Sequence, residues 1–143
     1  MIMDRIGPRP VPCSTCPYRR DVPSGVWAAS EYDKLPGYDG STGDQAQAGA
    51  FGVFICHQRN GAICSGWAGC HDMDENLAIR MDRHVDTEAV RAYVCPVPLF
   101  SSGAEAAEHG KAEIENPGIG ARRKVERLRR RLALKQRRNR AGI

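Results

Sequence analysis

Residues 13–20 run Cys13-Ser14-Thr15-Cys16-Pro17-Tyr18-Arg19-Arg20, two cysteines two residues apart and closed by a proline. A turn of that spacing lets two thiolates converge on one ion. Working outward, Cys56 follows beside His57, then Cys64, then Cys70 beside His71, and Cys95 precedes Pro96. A downstream group of Cys and His of this kind can close a coordination shell.

The rest of the composition makes such a staple useful. Ile, Leu, Val and Phe together number 26 of 143 residues, and the net charge is only +4. That is a lean core without the charge excess of a disordered chain, and a small domain of this kind needs a disulfide, a metal or a partner. Disulfides belong to oxidising compartments. Residues 1–12 hold no apolar run fit for a secretory signal. The longest apolar stretch, residues 50–56, is interrupted by Gly52 and falls far short of the ~20 residues of a spanning helix. The expectation is a cytoplasmic protein with reduced thiols and no membrane association, its cysteines serving a metal.

More candidates exist than one centre needs. Cys13 and Cys16 form the firmest pair. Cys56 leaves a candidate strand, and Cys64 returns across an Asn60-Gly61 turn. The expected ligands are therefore Cys13, Cys16, Cys56 and Cys64, with Cys70, His57, His71 and Cys95 in reserve as ligands or supporting groups. Zn2+ is the first expectation for the cofactor. An iron–sulfur cluster is the alternative, because only one C-x-x-C turn is present and the second pair is loosely spaced. On a strand, His57 faces away from Cys56. Arg19 and Arg20 either offset thiolate charge or are plain surface arginines. Trp27 and Trp67 read as core, with Trp67 placed to shield the site.

The fold class expected is small α+β and metal-stabilised: short helices and a minor strand around the cysteines, plus a long basic C-terminal helix. The organisation expected is an extended arm over 1–12, a cysteine-rich domain over 13–100, a short helix and linker over 101–118, and the basic helix over 119–143. Within this plan, residues 24–35 suit short helical turns ended by Pro36-Gly37, and residues 36–50 read as loop. Phe51, Val53 and Ile55 alternate as a strand. Asp72 or Asp74 can cap a helix to about Val85, and Asp86 a short one to about Val94. Ser102 with Glu105 opens a helix ending at Gly110, and a last helix spans about Gly120 to Arg138.

Charge divides the chain. Residues 121–143 carry eleven Lys or Arg and one acid, whereas residues 1–120 carry ten basic and sixteen acidic residues. On the last helix Ala121, Val125, Leu128 and Leu132 make one narrow apolar stripe. Arg122, Arg123, Lys124, Arg127, Arg130, Arg131, Arg137 and Arg138 are the candidate nucleic-acid contacts, giving phosphate affinity without sequence reading. The alternative is a solvated helix held by the acidic body.

Three stretches, PCSTCPYRRDVPSGVW, FICHQ and CSGWAGCHD, resemble an uncharacterised cysteine-rich domain family of actinobacteria and their phages. The shared elements fall on Cys13, Cys16, Pro17, Tyr18, Arg19 and Arg20, then Phe54, Cys56 and His57, then Cys64, Gly66 and Trp67. The resemblance covers roughly residues 10–80. It implies metal binding through the same four cysteines and leaves Cys70, Cys95 and the tail outside its motif. It implies no established activity.

No P-loop, G-x-S-x-G or H-E-x-x-H motif is present. A closed four-cysteine site also leaves no open position for substrate. The sequence therefore points away from an enzyme and toward a small accessory or regulatory module that binds metal and nucleic acid. The alternatives are an iron–sulfur redox or sensing protein and an interaction module whose tail docks on an acidic partner. Small-molecule substrate and oligomeric state stay open.

Overall fold

The computed structural model describes residues 5–56, 58 and 61–140. Helices dominate, most of them a turn or two long. The first, α1 (Ala29–Asp33), is followed directly by a 3₁₀ turn at Leu35–Tyr38. Pro36 and Gly37 do not stop the chain here. Pro36 sits in the first turn of the 3₁₀ segment, where an N–H has no partner to lose. Residues read as loop then form α2 (Thr42–Gln47), opened by a capping box in which Ser41 and Asp44 each receive the other's backbone N–H.

The expected strand shrinks to one antiparallel bridge, Ile55 to Ile63, and its phase is reversed. Phe54 and Cys56 are buried, while Phe51 and Ile55 are exposed. A shift of one residue exchanges the two faces of an extended segment. The Cys64 N–H donates to the Phe54 carbonyl at 2.8 Å, and the Cys56 N–H to the Ala62 carbonyl at 2.9 Å. Gly61, at φ +83°, makes the return; Asn60 lies outside the described residues.

Beyond it come α3 (Ser65–Cys70), a 3₁₀ turn at Met73–Glu75, α4 (Leu77–Met81) and α5 (Thr87–Ala92). One continuous helix from Asp72 or Asp74 to Val85 is thus replaced by two short pieces. Asp72 caps the first and Asn76 the second. Asn76 is extended, at φ −92° and ψ 120°, and its side chain takes the Ile79 N–H at 3.0 Å, so no helix can pass through it. Ala78 and Ile79 face inward, and Met81 faces out. Asp86 caps α5 as expected.

Ser102 caps α6 (Gly103–Lys111), which runs through Gly110 instead of ending there. The 22-residue α7 (Ile119–Arg140) is the last element of the described residues. The α+β expectation therefore gives way to a mainly helical fold, in which β pairing among the described residues is confined to isolated bridges.

The N-terminal segment is extended, and it is tied into the body. Ile6 pairs with Val85, and Pro8 with Ile63. The first pairing is made by Ile6 N–H to the His84 carbonyl at 2.7 Å and Asp86 N–H to the Ile6 carbonyl at 2.8 Å. Tyr18, Tyr32, Leu35, Phe54, Ile63, Trp67, Ile79, Val85, Val90 and Phe100 form the main core. α6 is a wall of it, bringing Ala106, Ala107 and Gly110 against α1 and the Leu35–Tyr38 turn. Asp39 locks this wall: Oδ1 accepts from the Gly103 N–H at 2.7 Å and Oδ2 from the Ala104 N–H at 2.9 Å. A carboxylate at that helix start also meets the positive end of the helix dipole.

Candidate metal centre

The Cys13–Cys16 turn and the start of α3 meet in the core. Cys16 Sγ lies 3.7 Å from Cys64 Sγ. Two thiolates bound to one tetrahedral ion at about 2.3 Å stand roughly 3.8 Å apart. The approach depends on Gly66, where an added Cβ would collide with Cys16 Sγ and crowd Tyr18. Cys13 and Cys56 are buried in the same region. The Cys13 sulfur sits 3.7 Å from Thr15 Oγ1, and Cys56 Sγ accepts from Arg9 Nη1 at 3.5 Å. Among the described residues, no three His, Cys, Asp or Glu side chains stand as a ready-made coordination shell.

The four thiols share one electrostatic environment. Burial, reinforced by Cys16 and Cys56, pushes the Cys13 thiol up to about 11. Contact with Cys64 and then burial push Cys16 well above the ordinary thiol range. Of the two readings of Arg19 and Arg20, their contacts favour surface arginines held by other partners, although Arg19 still feels the Cys16 and Cys13 sulfurs. Arg19 is held by Asp21 at 2.8 and 2.7 Å and by the Pro12 carbonyl at 2.9 Å. Arg20 turns to the Leu99 carbonyl and to Glu105, both at 2.8 Å, and covers the Phe100 ring. Among the described residues, the arginine that meets a sulfur is Arg9, which no local motif singles out.

Three of the reserves have neighbours of their own. Cys70 ends α3, and burial followed by the Asp39 charge pushes its thiol up to about 12. His71 is fully engaged: Nδ1 meets the Trp67 carbonyl and Nε2 meets Asp39 Oδ1, each at 2.9 Å. Its ring belongs to an aromatic cluster with Tyr18, Tyr38 and Trp67. The partner of His71 is therefore Asp39 and not the adjacent Asp72. Cys95 lies beside Tyr93 and Gly69. His57 lies outside the described residues. All six cysteines are free. Thiol counting on denatured, metal-stripped protein is expected to return six, and a mass deficit of one bridge would contradict this.

The surroundings of the turn are ordered. Trp27 Nε1 donates to the Thr15 carbonyl at 2.8 Å, and Trp67 is completely buried. Tyr18 Oη and Trp67 Nε1 are buried and make no hydrogen bond to any described residue.

α7 is rooted on this same side. Ala121 is buried against Val22 and Val26, and Val125 and Leu128 pack on that cluster, whereas Leu132 is 59% exposed. The first half of the helix is thus docked and the second half stands clear. Lys124 Nζ donates to the Ser14 carbonyl at 2.9 Å, and Arg131 Nη1 to Gln58 Oε1 at 2.6 Å. Arg122 reaches Asn116, and Arg130 pairs with Glu126. Arg123, Arg127, Arg137 and Arg138 are exposed. No helix among the described residues is long and apolar enough to cross a membrane.

Searches of curated proteins and of solved structures found no match. One family model does match, over residues 8–131, a span that takes in the cysteine turn, all four candidate ligands and the docked half of α7. The chain therefore belongs to this family of unknown function, DUF6283.

Proposed function

We propose that this protein is a small metal-stabilised binding module, in which Cys13, Cys16, Cys56 and Cys64 hold a single Zn2+ ion and α7 offers its arginines to nucleic-acid phosphates. The observation that carries the reading is the meeting of Cys16 and Cys64 at 3.7 Å, with Cys13 and Cys56 buried beside them. That spacing suits two thiolates on one tetrahedral ion and argues against a [4Fe–4S] cluster, whose four thiolates bind separate irons. Cys13 and Cys56 would supply the remaining two ligands. The Arg9 guanidinium then lies against a thiolate, where its charge offsets part of the excess of four sulfurs on a divalent ion.

The test is anaerobic purification followed by metal analysis and an absorbance spectrum. A colourless protein with one zinc per chain is expected. Stoichiometric iron with visible absorbance would replace this reading with the iron–sulfur alternative.

For the tail, binding to duplex DNA or RNA is expected to be insensitive to sequence. Affinity for duplex DNA should fall by about 0.9 log units per phosphate contact for each tenfold rise in salt. Anisotropy titrations at several salt concentrations read this slope. Absence of binding at low salt would move the tail to an acidic protein partner. Deleting α7 is a poor control, because Ala121 and Lys124 are part of how the body is packed.

A further inference from the structure

Between the Cys13–Cys16 turn and the middle of α7 lies a cleft lined by Ser14, Thr15, Gln58, Lys124, Arg127 and Arg131. Three of these carry positive charge, and no acid is among the described residues that line the cleft. Lys124 is held by the Ser14 backbone carbonyl and Arg131 by the Gln58 amide oxygen, both neutral acceptors. Arg127 makes no hydrogen bond or ion pair with any described residue. Elsewhere on this surface cations meet carboxylates: Arg20 with Glu105, Lys111 with Asp33, Arg91 with Asp74 and Arg130 with Glu126. In the cleft Lys124 and Arg131 are oriented by neutral acceptors, and none of the three cations is in an ion pair with a described residue, although Asp21 lies within electrostatic range of Lys124.

The cleft is also joined to the sulfur site. Gln58 Nε2 donates to Thr15 Oγ1 at 2.6 Å, and Thr15 Oγ1 lies 3.7 Å from Cys13 Sγ. A chain of polar contacts thus runs from Arg131 through Gln58 and Thr15 to Cys13. Arg131 reaches that sulfur only through two intervening side chains, so its charge is directed outward.

We propose that this cleft is the seat of a phosphoryl oxyanion, namely a backbone phosphodiester of the nucleic acid that α7 binds. The proposal rests on the reading of α7 given above. Two guanidinium groups supply forked donors matched to phosphate oxygens, Lys124 adds a point charge, and the Ser14 hydroxyl is a further donor. One wall is the cysteine turn, so the seat keeps its shape only while that turn does. Phosphate affinity and metal occupancy are then coupled in both directions.

The experiment uses the full, metal-loaded chain. Inorganic phosphate is titrated while the backbone amide resonances of Ser14 and Thr15 and the Trp27 indole resonance are followed. A duplex oligonucleotide is then added as competitor. Saturable phosphate shifts at these positions, displaced by the oligonucleotide, are expected. Arg127→Ala should abolish the shifts and weaken oligonucleotide binding about tenfold, the cost of one charge-assisted contact. Arg129→Ala removes the same charge from another face of α7 and should retain the shifts. Equal losses in both variants, or phosphate shifts spread evenly along α7, would overturn the seat and leave the tail as a diffuse phosphate binder. Saturable shifts with no oligonucleotide binding would keep the seat, assign it to a free phosphate ester, and end the nucleic-acid reading. Both side chains are exposed, so an unchanged melting temperature serves as the folding control.

Discussion

Replacing Cys16 with serine is expected to abolish the proposed Zn2+ binding and, with it, most of the domain's cooperativity. Cys16 is completely buried, faces Cys64, and occupies the space that Gly66 leaves open. A serine hydroxyl is shorter and is a poor ligand for a thiolate-preferring ion. Metal affinity in such a site is folding free energy, because the unfolded chain has no preformed shell. A loss of about 4 kcal/mol would lower the melting temperature by roughly 10–15 °C at this chain length. Cys95→Ser, outside the cluster, should cost within about 1 kcal/mol. Thermal melts with parallel metal analysis decide the matter. Full metal content and an unshifted melt in Cys16→Ser would remove this residue from the site.

The other large effect has nothing to do with metal. Gly110 lies on α6 where the helix crosses Tyr32, and an added Cβ would collide with that ring. Tyr32 cannot swing away freely. It is almost fully buried, and its hydroxyl accepts from the Trp27 N–H at 3.1 Å. The Gly110 carbonyl accepts from Ser24 Oγ and from the Gly25 N–H, each at 2.9 Å, so the helix cannot retreat either. Helix propensity alone would make Gly→Ala favourable by about 1 kcal/mol. Overpacking costs more, so Gly110→Ala should destabilise by about 3 kcal/mol and lower the denaturant midpoint. A neutral or stabilised variant would mean that α6 and Tyr32 are not in this register. Adding Tyr32→Leu should recover part of the loss.

The contrast between Gly110 and Ser102 explains what the sequence could convey. Ser102, Asp86 and the span of α7 were legible because capping and helical periodicity are local properties. The basic residues of α7 were legible as a group for the same reason. Gly110 had the look of a helix stop, and its real role depends on a ring 78 residues away in the chain. Pro36-Gly37 misled similarly, because tertiary packing accepts them in a 3₁₀ turn. Asp39 joins residues 71, 103 and 104, and Arg9 reaches Cys56, with nothing in their own neighbourhoods to announce it. The phase of residues 51–56 was ambiguous because apolar side chains occur on both faces. Ser41 and Asp44 were a missed local signal, hidden in a run of glycine and glutamine. Among the candidate cysteines, the meeting of Cys16 with Cys64 could not be derived from spacing alone.

The bridge between Arg19 and Leu99 sets the order in which this protein can be finished during synthesis. It backs the cysteine turn with the Phe100 N–H on the Tyr18 carbonyl at 3.0 Å, a partner that leaves the ribosome some eighty residues after the turn itself. Pairings at such separation are slow to form and leave partly assembled chains exposed. The early cysteines therefore wait in an unsupported segment while most of the chain is made. In that interval no fold yet shields their thiols from oxidation.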